Sequence, residues 1–160
     1  MPRSNRETLL ASLANLILAG GMTWPLIARL GTHVPMGNAD IWLNYWNLWW
    51  WKTSLVQGQS PYHSEMIFFP TGVPLGLHTH SPANMLGTLP VNVLFGVGPA
   101  LNLAIFAGFF LAGLGGFLLA REYTQKALPA FLGGLAFAYL PQHIDQATEH
   151  LNLASYWAMP

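Results

Sequence analysis

The side chains able to do acid, base or ligand chemistry fall in three places. Asp40 stands at the head of a tryptophan-rich segment, and His78 and His80 lie two residues apart in a turn-rich stretch. His143, Asp145, Glu149 and His150 crowd together near the other end of the chain. Histidine and carboxylate suit several divalent ions, so this inventory admits a divalent metal. The spacing assigns none, because there is no H-E-x-x-H and no EF-hand loop. A nucleophile elbow, a phosphate loop and a dinucleotide fingerprint are missing as well. With no cysteine, disulfides and zinc–thiolate sites are excluded. His78 and His80 share a face only in extended chain, whereas Asp145 and Glu149, four apart, share a helical face. An ordinary role is open to Asp40, since a carboxylate before a helix caps free amide hydrogens.

What positions these residues follows from composition. Hydrophobic residues make up 52% of the chain and charged residues 8%, against roughly 25% charged in an average soluble protein. That imbalance points to lipid. Six Lys+Arg balance six Asp+Glu, which leaves no basic surplus for a phosphate backbone and argues against nucleic acid as a partner. A span needs about 20 apolar residues. Residues 9–27 and 99–120 meet that length, and a third, shorter run over 127–140 crosses if its far end, to about residue 144, sits at the interface. Residues 151–160 read as the start of a fourth. The expectation is therefore an all-α polytopic membrane protein with about three transmembrane helices plus the start of a fourth, forming one incomplete module over 1–160. The alternative for the first run, a cleaved signal peptide, lacks a clear cleavage site.

Lys and Arg at the span ends set the orientation. Arg3 and Arg6 precede the first span, and Arg121 and Lys126 flank the turn between the second and third. Both places are then cytoplasmic, the amino terminus included. The loop over about 28–98 and the segment over about 142–151 lie outside, and all six histidines fall there with Asp40, Glu65, Asp145 and Glu149. Within the long loop, the segment from Asp40 has helical periodicity. At about 100° per residue, Trp42, Trp46, Trp49, Trp50 and Thr53 fall on one side, and Asp40, Asn44, Asn47, Trp51 and Ser54 on the other. A helix lying at the external interface is the natural reading, its polar stripe free to line a wet cavity. Pro70, Thr71 and Gly72 make a turn, and residues 83–95, interrupted by Pro90, read as a second juxtamembrane helix. Gly108, Ala112 and Gly116, with Gly133 and Gly134, let helix backbones approach closely.

The order of these pieces resembles the amino-terminal portion of the GT-C superfamily of integral membrane glycosyltransferases, in its bacterial branch. The likeness rests on Asn38-Ala39-Asp40, on PYHSEMIFFPTGVPLGLHTHSP from Pro61, on the Gly-rich second span ending in Arg121, and on GGLAFAYLPQHIDQATEHLNLASYWAMP from Gly133. The resemblance implies that Asp40 is the catalytic base and that Asp145 and Glu149 bind or orient substrate. Asn44, Lys52, His78, His80 and His150 become further substrate-binding candidates, with Lys52 and His78 or His80 steadying the departing phosphate. It implies a polyprenyl-phosphate-linked sugar as donor, an acceptor hydroxyl, membrane lipid around the spans and a place in the bacterial inner membrane. The Asp-x-Asp pair of the metal-dependent branches is missing, because Asp145 is followed by Gln146 and Ala147. The alternative is a non-catalytic polytopic accessory or assembly subunit. A transporter fragment fits less well, since no charge lies well inside an expected span. A helix abandoned near residue 160 would leave carbonyls unsatisfied in hydrocarbon, so the natural product is expected to continue and the 160-residue form to be inactive alone.

Overall fold

A computed structural model describes residues 2–35 and 40–155. Everything is arranged along α5 (Val97–Thr124), 28 residues with a mean hydropathy of 2.2 over its most apolar part, or about 42 Å of helix. Gly96, at φ 93°, ends the preceding helix and starts this one. The left-handed Gln125 closes it, with its amide donating to the Arg121 carbonyl at 3.0 Å, the conformation that satisfies a terminal carbonyl.

Among the described residues α5 alone is long and apolar enough to cross a bilayer. The expected three spans and start of a fourth are therefore corrected to one such helix. The first run fails by register. α1 (Pro2–Met22) starts early and takes Arg6 and Glu7 into the helix. It stops before Pro25, which has no amide hydrogen and restricts Trp24 before it. The chain then continues as a turn and a 3-10 helix over Leu26–Arg29. Its apolar part, Leu9 to Met22, is about 21 Å long, against about 30 Å of hydrocarbon. The third run fails by length: α6 (Ala127–Ala138) has 12 residues, about 18 Å, and Pro141 opens a separate helix, α7 (Pro141–Ala147). Leu151–Ser155 form turns rather than a new span, and residues 156–160 lie outside the described residues.

Between α1 and α5 stand α2 (Asp40–Val56), a short antiparallel hairpin of β1 (His63–Ser64) and β2 (Val73–Pro74), and the short helices α3 (Pro82–Gly87) and α4 (Leu89–Phe95). The single helix expected over 83–95 is thus two, parted at Thr88 with Pro90 in the first turn of the second. The hairpin depends on Gly72. Its φ is +69°, and a Cβ there would sit 3.0 Å from His63 Nε2 and from the Ser64 carbonyl oxygen.

α2 buries the opposite face from the one a protein-lined wet groove requires. Asn44, Asn47, Trp51 and Ser54 turn inward with Ile41 and Leu48, while Trp42 stays exposed. Four of the buried asparagines donate to distant backbone carbonyls. Asn44 donates to the Glu149 carbonyl at 2.9 Å, Asn47 to Thr79 at 2.6 Å, and Asn92 of α4 to Leu48 at 2.8 Å. Asn102 of α5 donates to Leu30 and His33 at 2.8 and 2.6 Å. Each bond joins segments far apart in sequence and satisfies a carbonyl that burial would otherwise strand. Leu48, Trp51 and Met85 then close over Leu101, Ile105 and Phe109 of α5. At the other end Phe117 packs with Ala11 and Ala130, and Arg121 pairs with Glu7. The start of α1 and the end of α5 therefore share one end of the molecule.

Candidate functional site

Asp40 opens α2, and its Oδ2 accepts a hydrogen bond from His150 Nε2 at 2.8 Å. Two contacts set the pair. Asn44 Nδ2 bonds both the Asp40 carbonyl, at 3.0 Å, and the Glu149 carbonyl, at 2.9 Å. The turn after α7 holds His150 through its amide, which donates to Gln146 O at 2.8 Å. Among the described residues His150 Nδ1 is buried without a partner, so this nitrogen is not open to an outside substrate. The Asp40 side chain is 50% exposed. One carboxylate oxygen is thus engaged by an imidazole, while the other has no partner among the described residues. That is the arrangement of a positioned general base.

A mostly apolar cavity of about 340 Å³ reaches Ala147 and Thr148, just before Glu149 and His150 in the chain, but neither Asp40 nor His150 lines it. Trp24 and Leu26 lie on one side, Ile105 and Phe109 of α5 on another, and Ala147 and Thr148 bring it to within two residues of Glu149 and His150. Arg29 and His33 also border it. Arg29 Nη1 donates to His33 Nε2 at 3.4 Å, and the other ring nitrogen contacts Thr32 Oγ1 at 2.8 Å. Arg29 has no carboxylate partner among the described residues. A planar cation at the edge of an apolar cavity suits a phosphate attached to a hydrocarbon chain.

The structure separates the residues that sequence grouped. Asp40, Asn44, Glu149 and His150 come together, Glu149 through its backbone. Lys52 does not join them. Twelve residues along α2 from Asp40, it is about 18 Å away and forms no ion pair among the described residues. His78 and His80 pack against each other, ring centroids 5.0 Å apart. His78 Nε2 donates to Asn47 Oδ1 at 2.8 Å, and Trp51 Nε1 donates to His80 Nδ1 at 3.2 Å. Burial lowers both pKa values, and for His80 the neighbouring His78 lowers it further. Neutral imidazoles carry no charge to offer a leaving phosphate. Asp145 faces outward on α7 and accepts from Gln146 Nε2 at 3.2 Å. Glu149 lies past the end of that helix, so the two acids share no helical face. Asn38 and Ala39 lie outside the described residues. Among the described residues no group of three or more His, Asp and Glu side chains could hold a metal ion.

His143 has a different duty. Its ring is buried between the Ala138 carbonyl, 2.6 Å from Nδ1, and the Ala154 carbonyl, 3.0 Å from Nε2, and lies over Phe109. Burial lowers its pKa against the pull of both carbonyls. His78, His80 and His143 therefore all titrate below the usual 6.5 when folded. Between that lowered range and 6.5 the unfolded chain binds more protons, so stability must fall as pH drops through this window. Thermal unfolding at pH 7.5 and pH 5 should show the lower midpoint at pH 5. His80→Gln should reduce the difference; an unchanged difference would remove His80 from the effect.

No family model, no curated protein and no solved structure matches this chain.

Proposed function

We propose that the chain is the catalytic part of a bacterial inner-membrane glycosyltransferase that moves a sugar from a polyprenyl-phosphate donor to an acceptor hydroxyl on the extracytoplasmic face. The observation that carries this reading is the Asp40–His150 contact at 2.8 Å, together with an apolar cavity edged by Arg29 that reaches Thr148, two residues before His150 in the chain. The polyprenyl tail enters the cavity and Arg29 meets the phosphate. Asp40 takes the proton as the acceptor oxygen attacks the anomeric carbon, the bond from that carbon to the phosphate oxygen breaks, and polyprenyl phosphate leaves against Arg29 while His150 holds the carboxylate in place. Sidedness agrees with this. Ile105 and Phe109, in the first half of α5, line the cavity, while Arg121 sits in its last turn with Lys126 just beyond. Basic residues at that end favour the cytoplasm, with the amino terminus beside it through Glu7. Exposed apolar side chains such as Ile17 and Leu128 suit contact with membrane lipid.

A second reading, a non-catalytic accessory or assembly subunit, draws on the way Asn44 and His150 fasten the 149–150 turn to α2. In that case Asp40 is a clamp only. The test is transfer by the natural protein in bacterial lipid vesicles supplied with a radiolabelled undecaprenyl-phosphate-linked hexose and cell-envelope glycans. We expect label to leave the lipid for the glycan. Arg29→Gln should raise the donor KM roughly tenfold, the loss of one charge-assisted phosphate contact. Label that stays on the lipid under all these conditions would overturn the reading in favour of the accessory subunit.

A further inference from the structure

A second cleft, of about 560 Å³, opens near the far end of α2. Nine to thirteen residues of helix, about 14–20 Å, part its Trp49 and Thr53 from Asp40. It is therefore a separate place, and nothing about it depends on the transfer reaction proposed above.

One wall is aromatic. Trp46 and Trp50 stack with ring centroids 5.8 Å apart and planes within 7°, and Trp49 leans on Trp50 at 6.2 Å. Trp50 is fixed by its indole N–H, which donates to the Pro61 carbonyl at 3.0 Å. Trp49, half-buried, is the indole left to meet a ligand. The β-hairpin and the chain after its first strand add His63, Glu65 and Met66 to the lining. The floor is the turn after α2. Gly58 at φ +68° lets the chain reverse there, and the Gln59 amide returns to the Ser54 carbonyl at 2.8 Å.

The chemistry of this lining is selective. Gln57, Gln59 and Glu65 are exposed and their side chains make no other hydrogen bond among the described residues. An amide offers two donors beside its acceptor oxygen and a carboxylate offers only acceptors, a set that matches neighbouring hydroxyls on one ring. The indole face supplies an apolar platform for the C–H side of the same ring. No Lys or Arg lines the cleft, and Glu65 repels anions, which disfavours a nucleotide or a phosphorylated sugar. A plain hydrocarbon would strand the amides without partners. We propose that this cleft binds a neutral saccharide, stacked on Trp49 and held by Gln57, Gln59 and Glu65.

The test is calorimetric titration of the natural protein in nanodiscs with linear tri- to hexasaccharides of glucose, mannose, galactose and N-acetylglucosamine. Binding of at least one series is expected. Trp49→Ala should weaken it roughly tenfold, the loss of one aromatic anchor. Gln57→Ala changes an exposed side chain that packs on nothing, so it leaves the fold intact and should weaken binding severalfold. Choline chloride serves as the competitor, because Trp beside a carboxylate is also the chemistry of a quaternary-ammonium site. The proposal fails if no saccharide binds up to about 10 mM, if Gln57→Ala and Trp49→Ala both bind like wild type, or if choline binds and the sugars do not.

Discussion

Asp40→Asn should lower the rate of sugar transfer by roughly 10²- to 10⁴-fold, the range for loss of a general base, while leaving the fold in place. An amide cannot take the acceptor proton. Its oxygen can still receive the His150 Nε2 hydrogen, so the turn at 149–150 should remain docked on α2, helped by the separate Asn44 bond to Glu149. His150→Ala removes the positioning contact instead and should cost less in rate, because the carboxylate survives. The pair of variants separates catalysis from fastening. A clamp predicts loss of stability in His150→Ala and no specific loss of rate in Asp40→Asn. The measurement is initial rate at saturating lipid-linked donor, together with the thermal midpoint of each variant. More than a tenth of the wild-type rate in Asp40→Asn would take Asp40 out of the mechanism.

What sequence patterns can carry differs from residue to residue. The extent of α2 was legible, because helical periodicity runs from Asp40 to Val56 and Gly58 follows. Which face it buries was not. Periodicity shows that tryptophans and asparagines occupy opposite sides, but it does not say which side meets protein. Here Asn44 and Asn47 face inward because their amides reach the Glu149 and Thr79 carbonyls, partners far away in sequence. The end of α1 was written at Pro25, yet residue-by-residue hydrophobicity ran past it to residue 27. A hydropathy window sums side chains and ignores the missing amide. Sequence reasoning passes over Arg29 and His33, which border the cavity, although an i, i+4 pair of basic types before a loop is a usable signal. His150 was placed among the substrate candidates, but its contact with Asp40 joins the first turn of α2 to the chain beyond α7. No local spacing encodes that approach.

Gly134→Ala should be the most damaging single methyl addition in the molecule. A Cβ at Gly134 would lie 2.5 Å from the Gly113 carbonyl oxygen and 2.8 Å from Phe117 N. These are backbone atoms in the middle of α5, and no rotamer change relieves the clash. The two helices must separate, and Phe117, now fully buried with Ala11 and Ala130, loses its packing. Overpacking of this kind costs about 1–3 kcal/mol, sometimes more, against a gain of up to about 1 kcal/mol in helix propensity. The damage should travel. α6 ends at Ala138, whose carbonyl holds His143, and a shift there moves α7 and the His150 turn, so transfer should weaken along with stability. Gly20→Ala is the matched control, since a Cβ there meets nothing within 4 Å and should stabilise α1 slightly. Thermal unfolding and limited proteolysis of both variants in nanodiscs decide the matter: Gly134→Ala should unfold at the lower temperature and be cut faster within 127–150. If the two variants behave alike, α5 and α6 do not meet backbone to backbone at Gly134.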